Sequence, residues 1–182
     1  MSLDLGLPSD RSAVIVRAHL PAPLERWRRR GVADAADGLP AHATLLFPFV
    51  APERLDPAVR GIVAGAAARH APIEYRLVGP RRWPGVIYAA PDPTGPFVAL
   101  HRDLQVAFPS FPIYGPEFDL EFAPHVTIDE GLSVVPLDDP AWRSLPRPSV
   151  ATALEVIARP SGGRWRTVWR VRLGGQPGSA RR

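Results

Sequence analysis

The chain has 182 residues, 46 % of them apolar, and a formal net charge of +4, which suits one globular domain with a real core and fits an anionic ligand without requiring one. It has no cysteine, which excludes disulfides and thiolate metal sites, and no apolar run approaches the roughly 18 residues of a membrane span. The opening Met1-Ser2-Leu3-Asp4 lacks the basic start of a secretory signal, so a cytoplasmic protein is expected.

Residues 1–10 read as a flexible leader. The β-branched run Ala13-Val14-Ile15-Val16 predicts a buried first strand, with His19 in solvent at its end. Residues 21–30 fit a short helix with Leu24 and Trp27 on one face, closed by Gly31, and Arg28, Arg29 and Arg30 read as its solvated last turn. After a polar loop with Asp34 and Asp37 comes a strand, His42-Ala43-Thr44-Leu45-Leu46-Phe47-Pro48-Phe49. Asp56-Pro57 opens a second helix as N-cap and first residue, with Val59, Ile62, Val63 and Ala66 as its apolar stripe and His70 capping its far end.

Residues 73–78 and 86–89 predict a hairpin around a turn at 81–85. A helix follows with Phe97, Leu100, Leu104 and Phe108 along one face and His101 half-exposed beside them; residues 109–122 form an irregular connection. Pro124-His125-Val126-Thr127-Ile128 is a further strand, and 136–148 a proline-rich connection. Residues 150–158 alternate as one strand, which Ser161-Gly162-Gly163 turns back on itself. On the return strand Trp165, Thr167, Trp169, Val171 and Leu173 share one face, and Arg164, Arg166, Arg170 and Arg172 the other. Residues 174–182 read as a flexible tail, which leaves a single domain over 11–173.

Two of these strands open alike, His42-Ala43-Thr44 and His125-Val126-Thr127. Strand parity puts each histidine on the same face as the threonine two residues on, with Ala43, Leu45 and Phe47, or Val126 and Ile128, turned to the core. A histidine on a half-buried strand is often only a satisfied interior group. Composition alone, however, gives about 0.14 His-x-Thr triplets in this chain, so the repetition argues for shared work. Two imidazoles with ordinary pKa near 6.5 can hold one proton between them and serve as base and acid at a phosphodiester, while two threonine hydroxyls donate to its non-bridging oxygens. The histidines form no close ligand pair, so no metal is expected.

The paired motifs resemble those of the two-histidine phosphoesterase superfamily, and His-Ala-Thr-Leu-Leu-Phe-Pro-Phe is similar to its 2′-5′ RNA ligase-like branch, over about residues 10 to 173. The resemblance implies an α+β fold of two lobes related by a pseudo-two-fold axis, mainly antiparallel sheet with helices packed outside and a central groove faced by both motifs. It implies an enzyme that opens 2′,3′-cyclic phosphates, at RNA or nucleotide ends, to 2′-phosphates without a cofactor. His42 would be the acid on the 3′ oxygen, His125 the base for water, and Thr44 and Thr127 the phosphate-binding pair. Arg164, Trp165 and Arg166 follow Gly163 where relatives carry Gly and Tyr, and are the candidate substrate contacts. Joining of RNA ends through a 2′-5′ bond, and RNA or nucleotide binding without catalysis, are the alternatives. A monomer without membrane association is expected.

Overall fold

The computed structural model describes residues 11–111, 122–131 and 136–174; the expected leader, nearly all of the expected tail and most of the connection before the second motif lie outside the described residues. In chain order the strands are β1 (Arg11–Arg17), β2 (His42–Leu46), β3 (Ile73–Trp83), β4 (Val86–Asp92), β5 (Val126–Asp129), β6 (Arg147–Ala151), β7 (Ala153–Arg159) and β8 (Arg166–Arg172). The helices are α1 (Ala22–Gly31), α2 (Pro57–Ala68) and α3 (Gly95–Ala107). The strands form one antiparallel sheet in the order β6-β3-β4-β5-β2-β1-β7-β8. The motif strands β2 and β5 are therefore neighbours at its centre. Each half repeats one plan, β1-α1-β2 and β4-α3-β5, and each helix crosses to the other half, α1 packing on β5 and α3 on β2. The two expected lobes are these two four-stranded halves.

The order also dictates that the sheet curls. β6 is first and β7 seventh, yet Thr152 alone separates them. In a flat sheet those strands would lie about 28 Å apart, whereas three consecutive residues span at most about 7 Å. The ends of the sheet are thus drawn toward each other, and the Leu173 N–H closes on the Thr152 carbonyl at 3.0 Å.

Parity decides what each face does. Ala43, Leu45 and Val126 join Val63, Phe97, Leu100 and Leu104 in the main core on the helix face, and Leu24 of α1 packs with Ile128 and Trp142. A second cluster of Ala13, Ile15, Ile157 and Trp165 covers part of the other face, the one that carries His42 and Thr44. Asp56 caps α2 as expected, accepting from the Val59 N–H at 2.9 Å.

Several elements differ from expectation for identifiable reasons. The run 150–158 is not one strand, because the chain leaves β3 after Ala151 and joins β1 from Ala153. The proline-rich stretch before it holds a 3₁₀ turn, Pro140–Ser144, and already begins β6. β3 continues to Trp83, so only Pro84 and Gly85 turn the hairpin. Ile62 is 46 % exposed, since α2 rotates Val63, Ala66 and Ala67 into the core. Phe47 lies past the end of β2 and packs against the second cluster rather than the main core. Gly31 does not close α1 by a left-handed turn; it is the last helical residue, where a Cβ would stand 2.7 Å from Asp129 Oδ1 and 3.0 Å from the Ile128 carbonyl. Its small size lets α1 touch β5.

Candidate active site

The register of β2 with β5 pairs Ala43 with Val126. One step either way along antiparallel strands sets His42 across from Thr127 and Thr44 across from His125, all four on the face opposite the helices. The two histidines are thus diagonal neighbours, separated by the threonines. Each is oriented in the same way. His42 Nδ1 bonds the Pro40 carbonyl at 2.7 Å, and His125 Nδ1 bonds the Ala123 carbonyl at 2.9 Å, in both cases the carbonyl two residues earlier. A carbonyl only accepts, so each Nδ1 carries the proton and each Nε2 keeps its lone pair while the ring is neutral. Thr44 Oγ1 lies 3.1 Å from His42 Nε2.

Arg28, which by sequence belongs to a solvated charge run, is buried to 2 % exposure. Its Nη2 donates to the carbonyls of Leu39 and Pro40 at 3.0 and 2.9 Å, so the same Pro40 oxygen that orients His42 is itself held by a guanidinium. The spacing of Arg28 four residues after Leu24, on the buried face of α1, was the available signal. His101 is likewise buried rather than half-exposed: its Nδ1 bonds the Leu45 carbonyl at 2.8 Å, pinning α3 to β2 one residue past Thr44, and Phe122 stacks on its ring at 4.0 Å.

On the outer side of His42, Arg17 is its strand partner across β1. Arg17 grips the nearly buried Glu155 through Nε and Nη2 at 2.7–3.1 Å, and Thr167 Oγ1 donates to the same carboxylate at 3.0 Å. Around His125 stand two aromatic rings, Trp83 at 4.6 Å and Tyr88 at 5.6 Å between centroids, both edge-to-face. Tyr88 is the β4 partner of Thr127. Sequence reasoning assigned Trp83 to a turn and therefore missed this contact.

The electrostatics favour neutral rings. Burial pushes His42 down to about 4, against the opposing Pro40 hydrogen bond, and the positive charges of Arg28, His125 and Arg17 push the same way as burial. Burial lowers His125 as well, opposed by its bond to Ala123. The influence of His125 on His42 reflects their proximity.

Of the other candidate residues, Trp165 is buried in the second cluster, its Nε1 donating to Asp34 Oδ2 at 3.1 Å. Arg164 is exposed and donates to the Ala36 carbonyl at 2.9 Å. The expected row of four arginines is broken: Val156 pairs with Trp169 but Ile157 with Thr167, so Val168 is an extra residue that inverts parity. Arg170 therefore pairs with Glu155 on the histidine face, while Arg166 pairs with Ala158 on the other. Among the described residues no group of three or more His, Cys, Asp or Glu is placed to hold a metal ion, and no helix is long and apolar enough to cross a membrane.

Two His-x-Thr strands joined side by side at the centre of a curled antiparallel sheet are the arrangement of a two-histidine phosphoesterase. The chain belongs to the 2′-5′ RNA ligase superfamily, whose family model matches residues 16–159. Its fold is similar to that of E. coli LigT complexed with 3′-AMP, at 19 % identity and a TM-score of 0.58, covering 90 % of this chain and 98 % of that one. It is similar also to TT0787 of Thermus thermophilus, at 18 % identity and a TM-score of 0.60, covering 91 % and 99 %. A third structure, a phosphoesterase, matches at 18 % identity and a TM-score of 0.56 over 90 % and 98 %. At such identities the likeness is one of fold. No curated protein sequence matches the chain significantly.

Proposed function

We propose that the protein is a phosphodiesterase that opens 2′,3′-cyclic phosphates at RNA or nucleotide ends to 2′-phosphates by acid-base catalysis between His42 and His125. The observation that carries this reading is the matched pair of imidazoles, each tied at Nδ1 to the carbonyl two residues earlier and diagonal to the other across β2 and β5. A phosphate between them meets one Nε2 on the side of attack and the other on the side of departure. His125 removes a proton from water as its oxygen bonds to phosphorus, and His42 gives a proton to the 3′ oxygen as the P–O3′ bond breaks. Thr44 and Thr127 donate to the non-bridging oxygens, where charge accumulates. No step needs a metal, and each proton transfer typically contributes about 10²- to 10⁴-fold in rate.

His42 is neutral in the free protein at neutral pH, so its role as acid depends on the substrate's negative charge to raise its proton affinity. E. coli LigT is complexed with 3′-AMP in one structure and with NADP+ in another, which supports a nucleotide ligand here. Formation of a 2′-5′ bond would use the same residues in the reverse transfer. Incubation with a nucleoside 2′,3′-cyclic phosphate, with the product identified by phosphorus NMR, tests the reading: a 2′-phosphate is expected. A 3′-phosphate would refute the departure of the 3′ oxygen, and a joined product from RNA ends without hydrolysis would favour the ligase direction.

A further inference from the structure

A cavity of about 610 Å³ opens between α1, the end of β1 and the chain that leads into β2. Two features join it to the site. Arg17 lines it and is the strand partner of His42; Pro40 and Ala41 line it and immediately precede His42. Its charge is one-sided as well. Arg17, Arg29 and Arg164 line it with a single carboxylate, Glu25. Glu25 is divided between Arg28 and Arg29 at 3.7 and 3.5 Å, longer than a good charge-assisted hydrogen bond, and the Arg29 side chain is 71 % exposed. Arg164 has only a backbone carbonyl as partner among the described residues, and Arg17 commits Nε and Nη2 to Glu155 and Thr167 but not Nη1.

The geometry points to this cavity as a second phosphate site, which takes the phosphodiester on the 5′ side of the nucleotide whose cyclic phosphate lies between His42 and His125. This rests on the phosphodiesterase reading above and narrows its substrate to an RNA end rather than a bare cyclic nucleoside. Guanidinium groups match phosphate in shape and charge, and three from different elements, α1, β1 and the turn before β8, line this one cavity. The shared chemistry is a 5′-side phosphate, which a small phosphorylated nucleotide also possesses.

Three substrates tell these apart: a nucleoside 2′,3′-cyclic phosphate with a 5′-hydroxyl, the same with a 5′-phosphate, and a trinucleotide ending in a 2′,3′-cyclic phosphate. The 5′-phosphate is expected to raise kcat/KM about tenfold or more, as charge-assisted hydrogen bonds do, and the trinucleotide at least as much. In the double variant Arg29→Glu, Arg164→Glu, both at exposed side chains, those ratios should collapse toward one. The salt dependence of the trinucleotide should also flatten, by about 0.7 in log-log slope per lost contact. A gain from the 5′-phosphate that the trinucleotide does not share supports the site but assigns it to small nucleotides. Equal kcat/KM for all three substrates, or a gain that survives the charge reversal, overturns it. If no cyclic phosphate is turned over, the phosphodiesterase reading fails by itself, and calorimetry still reads the cavity. There, binding of a nucleoside 3′,5′-bisphosphate about tenfold tighter than the 3′-phosphate, lost in the double variant, supports the site, and equal binding overturns it.

Discussion

The depressed histidines give the reaction a specific dependence on pH. In the free protein burial holds His42 near 4 and His125 below its ordinary value, so the form carrying one proton on the pair is most abundant on the acid side of pH 6.5. Because kcat/KM reports on free enzyme, its optimum should lie there, with a loss approaching about tenfold per unit of pH on the alkaline limb. Substrate changes the balance. A monoanionic phosphate about 4 Å from the ring, at an effective dielectric of about 20, favours imidazolium by about 4 kcal/mol. That is about three pKa units, enough to bring His42 from about 4 to near 7. The optimum of kcat should therefore lie two to three units, as an order of magnitude, above that of kcat/KM. Binding of a nucleoside phosphate at pH 7 should likewise take up a proton, visible by calorimetry in buffers of different ionisation enthalpy. Coincident optima at pH 7 or above, with no proton uptake, would refute the claim that the pair is neutral before substrate arrives.

The same depression links pH to stability. Between pH 6.5 and about 4 the unfolded chain binds a proton at His42 that the folded chain does not, so stability falls as pH drops through that window, by up to about 3 kcal/mol. His42→Gln should flatten this part of the profile in urea titrations at pH 7 and 4.5, and an unchanged slope would place the acid sensitivity elsewhere. Replacing Arg28 with Met removes the donor to Leu39 and Pro40 and a nearby positive charge. It should cost about 2–3 kcal/mol of stability and raise the His42 pKa, as read by NMR titration. Hydrolysis of a cyclic phosphate should be unaffected by excess chelator; a large loss restored by zinc or manganese would contradict the acid-base scheme.

What the sequence disclosed follows from which forces are local. Period-two alternation is set within a strand, so His42 with Thr44 and His125 with Thr127 could be placed on common faces without knowing their neighbours. Asp56 ahead of Pro57 is also a local signal, and α2 starts where it says. The interval from Arg147 to Arg159 misled because β-propensity is silent about partners: the chain changes neighbours at Thr152 while staying extended. The arginine row failed for a related reason, since the extra residue at Val168 shows itself only against the register of β7. Arg28 was missed because a run of three arginines looks solvated, whereas the deciding facts are two carbonyls brought over it by the loop after α1. Likewise Trp83 and Tyr88 come beside His125 only through the pairing of β4 with β5.

The central claim is that His42 and His125 act as one unit with opposite proton roles. Its most direct measurement is the turnover of one 2′,3′-cyclic phosphate by the wild-type protein, His42→Ala, His125→Ala and the double variant, repeated with a substrate whose leaving group is acidic enough to depart unprotonated. Each single replacement should remove most of the activity, and the double should lose far less than the product of the two losses, because groups that act together are not additive. The acidic leaving group should restore His42→Ala much more than His125→Ala. Rescue of His125→Ala instead would reverse the two roles, and full activity of either single variant on both substrates would contradict catalysis by the pair.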